Sequence, residues 1–181
     1  IRLNKQEIIS DYDYLVGVKN QRVINSQVED GSHVNMIGDQ IYIGKNVKLN
    51  HMLLNASDGP IWIGDDVTIM EGSVIKGPVA VLEGSVIKMG AKIYPGTTIG
   101  PYCKVGGEIS NSIVLGYTNK AHDGFLGDSY IGKWCNLGAG TNISNLKNNY
   151  SNVKLWNYLE GRFIDTGMQF CGLFMGDHSK C

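Results

Sequence analysis

The stretch from Ile63 to Ser110 divides into eight consecutive six-residue units: IGDDVT, IMEGSV, IKGPVA, VLEGSV, IKMGAK, IYPGTT, IGPYCK and VGGEIS. The first place of every unit is β-branched: Ile63, Ile69, Ile75, Val81, Ile87, Ile93, Ile99 and Val105. The fifth place is mostly small: Val67, Ser73, Val79, Ser85, Ala91, Thr97, Cys103 and Ile109. A period of six fits neither a helix nor an alternating hairpin sheet. It fits a short flat strand and a turn, with one aliphatic and one smaller side chain pointing inward on each face. Three faces close a triangular coil of about eighteen residues, and successive coils stack about 4.8 Å apart as parallel β-structure. The predicted stacks are therefore Ile63 on Val81 on Ile99, Ile69 on Ile87 on Val105, and Ile75 on Ile93. Glycine recurs at the second or fourth place, as at Gly64, Gly72, Gly84 and Gly90, where a corner needs positive φ or close backbone approach.

The pattern resembles the hexapeptide repeat of left-handed parallel β-helices, so the expected fold class is an all-β solenoid of that kind. The left hand comes from the resemblance, since the general crossover rule favours the right. The eight units are flanked by weaker ones. IGDQIY, IGKNVK and LNHMLL cover residues 37 to 54, followed by a polar corner from Asn55 to Pro60 and a two-residue slip at Ile61 and Trp62. After Ser110 the period is expected to break across 111 to 124, then to return as FLGDSY, IGKWCN and LGAGTN over 125 to 142. A second, Asn-rich interruption runs from Ile143 to about Arg162, with the repeat expected to resume near Phe163 and to reach MGDHSK at 175 to 180.

Residues 1–36 lack the period and are read as a linker or lead-in segment, with a helical turn or two from Lys5 to Leu15 and a strand-like stretch through Val23 and Ile24. The solenoid domain is placed at 37–181. A chain that starts at Ile1 and stops one residue into a unit is expected to be a piece of something longer, with coils or a cap following.

The net charge of −1 offers no electrostatic footprint for nucleic acid or an anionic membrane. No apolar run reaches the length of a membrane span, so membrane insertion is not expected. The four cysteines, Cys103, Cys135, Cys171 and Cys181, lack metal-site spacing. Cys103 and Cys135 fall in the small inward slot of a unit, which reads as reduced structural thiols in a cytoplasmic protein. No metal site is expected: the four histidines, His33, His51, His122 and His178, contain no pair spaced five apart as a zinc enzyme of this fold would need.

The stretch 111–145, NSIVLGYTNKAHDGFLGDSYIGKWCNLGAGTNISN, carries the functional signal. It places a His shortly before a Gly-Asp-Ser turn, then Asn-Leu-Gly-Ala-Gly-Thr, then an Asn in the following loop. This set resembles the acetyltransferase half of the bacterial bifunctional N-acetylglucosamine-1-phosphate uridyltransferase/glucosamine-1-phosphate acetyltransferases, with a closer likeness to a variant branch of sugar nucleotidyltransferases. The resemblance implies acetyl transfer from acetyl-CoA to the amine of an amino-sugar 1-phosphate, with His122 as general base and Asn136 on the sugar. It also implies Asn145, Gly138, Ala139 and Thr141 near the acetyl-CoA. A homotrimer is expected, because such acyltransferases place their sites between neighbouring chains and His122 is read as lying in a loop that leaves the coil. The resemblance further implies an attached Mg²⁺-dependent nucleotidyltransferase domain and a role in cell-envelope sugar synthesis.

This sequence departs from the family at three places. Phe125 stands where the family has a tyrosine, and Ser110 and Tyr94 stand where it has the lysine and arginine that hold the sugar phosphate. A phosphate would then fall to Lys88, Lys92, Lys104, Lys120 or Lys147, and Lys92, Lys104 and Lys120 join Phe125 and Asn136 as the substrate-binding candidates. The alternative function is a non-catalytic β-helix that assembles or regulates a sugar-1-phosphate nucleotidyltransferase. His122 in its glycine-framed setting separates the two, since an assembly module has no use for it.

Overall fold

The computed structural model describes residues 1–19 and 33–181. The expected strand-like stretch at Val23 and Ile24 lies outside the described residues. From residue 35 onward the chain winds through three parallel sheets in strict rotation, so that neighbours within a sheet are never neighbours in sequence. The architecture is that of a left-handed parallel β-helix. Sheet A begins with Ile41–Ile43 and Ile61–Ile63 and ends with Tyr130–Ile131 and Phe174–Met175. Sheet C runs from Lys48–Leu49 to Asn119–Lys120, and sheet B from Asn35–Ile37 to Phe125–Gly127.

The inward register is the one the period dictates. Ile63 pairs with Val81 and Val81 with Ile99, Ile69 with Ile87 and Ile87 with Val105, and Ile75 with Ile93. All of these are almost wholly buried. The two glycine places do different work. Gly72, Gly84, Gly90 and Gly96, all at the fourth place, have φ between 66° and 79°. Gly64, at the second place, has no positive φ, but a Cβ there would come within 2.8 Å of the Glu83 nitrogen in the next coil. Small slot residues neutralise corner carbonyls: Ser73 Oγ donates to Lys88 O at 2.9 Å, Ser85 Oγ to Gly100 O at 2.7 Å and Thr118 Oγ1 to Gly132 O at 2.7 Å. Cys103 and Cys135 occupy the same kind of slot and are buried.

Five parts of the expected register are corrected. The unit placed at 37–42 is off by one, since Met36 pairs with Leu54 in the inward column while Ile37, beside Asn55, is exposed. The unit placed at 125–130 is off by one in the same way, with Leu126 inward on Ile109 and Phe125 outward beside Glu108. The eighth unit is cut short: Ile109 does not take the small slot but pairs with Ile93, so only four positions separate it from Val105. The period does not break over 111–124. The coil continues with Ile113–Val114 on Thr98 and Ile99 and with Asn119–Lys120 on Lys104 and Val105, at fifteen rather than eighteen residues per turn. The register resumes at Phe174–Met175, which pair with Tyr130–Ile131, and not at Phe163. Phe163 lies in an antiparallel hairpin, Lys154–Asn157 with Arg162–Asp165, that projects from the B–A corner. Trp156 and Phe163 meet edge to face across it, with ring centroids 5.2 Å apart.

The lead-in segment forms a helix, Asn4–Lys19, longer than expected. Ile8 and Tyr12, one turn apart on the same helix face, bury against the outer face of sheet A. Tyr12 meets Trp62 edge-on, and Trp62 stacks on Tyr42 at 3.8 Å. Asn4 fixes the helix start by donating to Gly96 O at 2.7 Å and accepting from the Thr98 hydroxyl at 3.1 Å. Among the described residues no helix is long and apolar enough to cross a membrane.

Candidate active site

The turn after Asn119–Lys120 carries the chain from sheet C to sheet B, and His122 stands on it. It is a corner of the coil itself rather than a loop leaving it, which corrects the expectation. The corner is tight on both sides. Below, a Cβ on Gly106 would approach Ala121 O within 2.5 Å, and one on Gly107 (φ 73°) would approach Gly124 O within 2.7 Å. Above, Gly124 packs so closely on the Thr141 carbonyl that no side chain fits, and Gly140 N donates to Asp123 O at 3.2 Å. The glycines let backbone from three successive coils converge, and they leave the His122 side chain as the projecting group. It is exposed, and its ring has no hydrogen-bond partner among the described residues.

Two outer faces meet at this corner. On sheet C, Lys104, Asn119, Asn136 and Lys180 form one column by backbone pairing. Asn119 Nδ2 donates to Asn136 Oδ1 at 2.9 Å, while Asn119 Oδ1 is buried without a partner among the described residues. On sheet B, Lys92, Glu108 and Phe125 form the corresponding column. Lys92 faces Glu108 at 3.8 Å in an exposed ion pair, so its charge is partly spoken for, whereas Lys104 is an exposed cation beside the two asparagines. The Phe125 nitrogen donates to Asn142 Oδ1 at 2.8 Å, which ties sheet B to the turn above. That turn contains Gly138, Ala139 and Thr141. Thr141 Oγ1 donates back to Gly138 O at 2.8 Å, and Gly138 N donates to Cys181 O at 2.7 Å. Ala139 is exposed directly above the His122 corner.

Lys120 is not a surface lysine. It pairs with Val105 in the inward aliphatic column, is 2% exposed, and donates from Nζ to Gly106 O at 2.9 Å and to His122 O at 2.8 Å. Burial pushes its pKa below the ordinary lysine value, and the nearby Asp123 carboxylate acts in the opposite direction. Lys147, another candidate, donates to Asn152 O at 3.1 Å in the projecting insertion.

Asn145 is not brought to His122 within one chain. It lies at the other edge of sheet B, where its amide nitrogen donates to Asp128 Oδ2 and Asn111 Nδ2 donates to Asp128 Oδ1 at 2.6 Å. Asp128 therefore knits three successive B–A corners, at Asn111, Asp128 and Asn145. Sequence reasoning missed Asp128, Asn119 and Lys180. The first two had a visible signal, since Asn111, Asp128 and Asn145 recur at intervals of seventeen, as do Asn119 and Asn136. Lys180 gave no such signal, because the projecting insertion separates it from its column neighbours.

No family model matches the chain. It is 33% identical over 124 residues to the bifunctional sugar-1-phosphate nucleotidylyltransferase/acetyltransferase of Sulfurisphaera tokodaii, covering 67% of this chain and 30% of that protein. It is 36% identical over 139 residues to the uncharacterized acetyltransferase YaiX of Escherichia coli O6:K15:H31, covering 75% of this chain and 60% of that protein. It is 31% identical over 109 residues to the bifunctional protein GlmU of Corynebacterium glutamicum strain R, covering 59% and 20% respectively. The chain thus spans less than two thirds of the length of each of these relatives.

Proposed function

We propose that this chain, a homologue of the bifunctional nucleotidylyltransferase/acetyltransferases and of GlmU, is an acetyltransferase that moves an acetyl group from acetyl-CoA to the amine of an amino-sugar 1-phosphate. The observation that carries the reading is His122: an exposed imidazole without a hydrogen-bond partner among the described residues, on a corner held rigid by glycine contacts to the coils above and below. Rigid placement of a group that can accept a proton near neutral pH is what a general base requires. In the reaction the amine nitrogen attacks the thioester carbonyl carbon, the C–S bond breaks, and coenzyme A leaves as the thiolate. His122 takes the proton that the attacking nitrogen gives up. Asn136, with its Oδ1 held by Asn119, offers its amide to sugar hydroxyls, and Lys104 and Lys180 in the same column offer cations to the phosphate. Phe125 offers an apolar face and no hydroxyl.

The separation of His122 from Asn145 supports a site shared between chains. Asn145 spends one amide hydrogen on Asp128 and keeps another donor for the acetyl carbonyl or its developing oxyanion. A cyclic trimer of parallel prisms, with the B–A edge of one chain beside the C–B corner of the next, would unite the two groups by a heterologous, closing contact. Thiol release from acetyl-CoA over a panel of amino-sugar phosphates tests the activity. Release above background with at least one of them, abolished in His122→Ala, is the expected result; absence of release with every acceptor refutes the reading. Mixing inactive His122→Ala and Asn145→Ala chains tests the shared site, since hybrid trimers recover intact sites only if the two residues come from different chains.

A further inference from the structure

From Leu49 to Leu137 the inward column of sheet C is aliphatic at every level except one. Leu49, Ile69, Ile87 and Val105 precede Lys120, and Leu137 follows it. Packing alone is satisfied by another aliphatic residue, and an ammonium buried to 2% exposure costs several kcal/mol unless it finds partners. Its partners are two backbone carbonyls, Gly106 O in the coil below and His122 O in its own corner.

The register explains why a lysine is needed there. One coil lower, the carbonyl equivalent to Gly106 O is Lys88 O, and the slot hydroxyl of Ser73 satisfies it. The slot residue that would serve Gly106 O in the same way is Ala91, which has no side-chain donor. The coil between has no slot residue at this corner at all, because Val105 and Ile109 are separated by four positions instead of six. Ala91 thus leaves Gly106 O without a slot donor directly beneath the His122 corner, and the shortened corner supplies no other slot side chain there. Lys120 reaches it from the neighbouring column and with the same ammonium binds the His122 carbonyl.

We infer that Lys120 is a positioning residue, an internal tie rod that fixes the backbone of His122 to the coil below and so sets where the imidazole stands. This rests on His122 being the base, but the tie itself is a property of the fold and is read separately. With both neighbours of the corner held by glycine contacts and its carbonyl held by the ammonium, the side-chain torsions are the freedom His122 retains. Removal of the tie leaves two inward carbonyls unpaired and lets the corner shift, and a displacement of about 1 Å can cost on the order of 10²-fold in turnover.

The test compares Lys120→Met, which keeps the length and apolar stem, with Lys120→Gln, which keeps a shorter donor. In the complete protein, amide hydrogen exchange in Lys120→Met should rise about tenfold or more at residues 121–125 and stay unchanged in the coils from 63 to 99. Turnover should fall with little change in KM for acetyl-CoA, and Lys120→Gln should fall between the two. The decisive readout is the double-mutant cycle: His122→Ala should cost far less in the Lys120→Met background than alone, because the two residues act through one group. Multiplicative losses, or unchanged exchange at 121–125, would overturn the inference. If Lys120→Met does not fold, the same cycle and exchange comparison on Lys120→Gln decides. A wild-type protein without acetyl transfer would refute the proposed activity, while the exchange measurement would still confirm or overturn the tie.

Discussion

Ile75 and Val74 are adjacent in one short strand and differ in one respect, the face they occupy. Ile75 is fully buried between Leu54 and Ile93, whereas Val74 is 40% exposed on the outer side. Replacing Ile75 with Ala removes three carbons from the core, worth about 2.4 kcal/mol at about 0.8 kcal/mol each. The hole then persists, because the strand is hydrogen-bonded on both sides. Val74 N donates to Ala91 O at 2.8 Å and Leu53 N to Ser73 O at 3.0 Å. Coil spacing is set by those bonds, so the neighbours cannot slump inward, and the unrelaxed cavity adds roughly 1–2 kcal/mol. The expected loss for Ile75→Ala is therefore about 4 kcal/mol, against about 1 kcal/mol for Val74→Ala, which removes two half-buried carbons and leaves no closed cavity. Urea unfolding by linear extrapolation, with the slope required to stay constant, measures both. Comparable losses from the two substitutions, or a loss under about 1.5 kcal/mol for Ile75→Ala, would refute the argument that inward register and fixed coil spacing set the stability.

Ser85 is fully buried, donates to Gly100 O and accepts from Cys103 N at 3.0 Å, so Ser85→Ala should cost about 1–3 kcal/mol in the same assay by leaving both groups unpaired. Burial pushes the Cys103 thiol up to about 11 from an ordinary value of 9.0. The folded state therefore holds the proton over a range in which the unfolded chain loses it, and stability should fall by about 1.4 kcal/mol per pH unit between those values. This alkaline component should vanish in Cys103→Ala, measured as unfolding free energy against pH. The same burial predicts that native alkylation labels the exposed Cys181 well before Cys103, checked by peptide mass mapping. Asp128→Ala should cost about 1–2 kcal/mol and free the Asn145 side chain, whereas Asp128→Asn, able to accept from one of the two amides, should cost about half as much.

The inward ladder was legible because a flat strand must place one aliphatic residue inside at each level, and six-residue spacing exposes that demand directly. Ile63, Val81 and Ile99 could be stacked on paper for this reason, and the inward slots of Cys103 and Cys135 followed from the same count. The resemblance between His122 and Asn145 is legible as a string of residues, although the winding distributes that string over two corners of the coil. The sequence could not show how many residues a corner spends. Backbone pairing between coils survives the loss of two or three corner residues, so the chain passes from eighteen residues per turn to fifteen without an aliphatic signal to mark the change. That is why the sequence alone puts Ile109 in a slot and reads 111–124 as a break. A lysine in the inward column looks like a surface lysine until the carbonyls it serves are known, and those belong to Gly106 and His122 in two different coils. The hairpin from Lys154 to Asp165 hides in a polar, Asn-rich insertion because its strands pair with each other and not with the solenoid. The placing of His122 and Asn145 on opposite edges of sheet B was likewise decided by the winding, since it depends on the corner each occupies rather than on the number of residues between them.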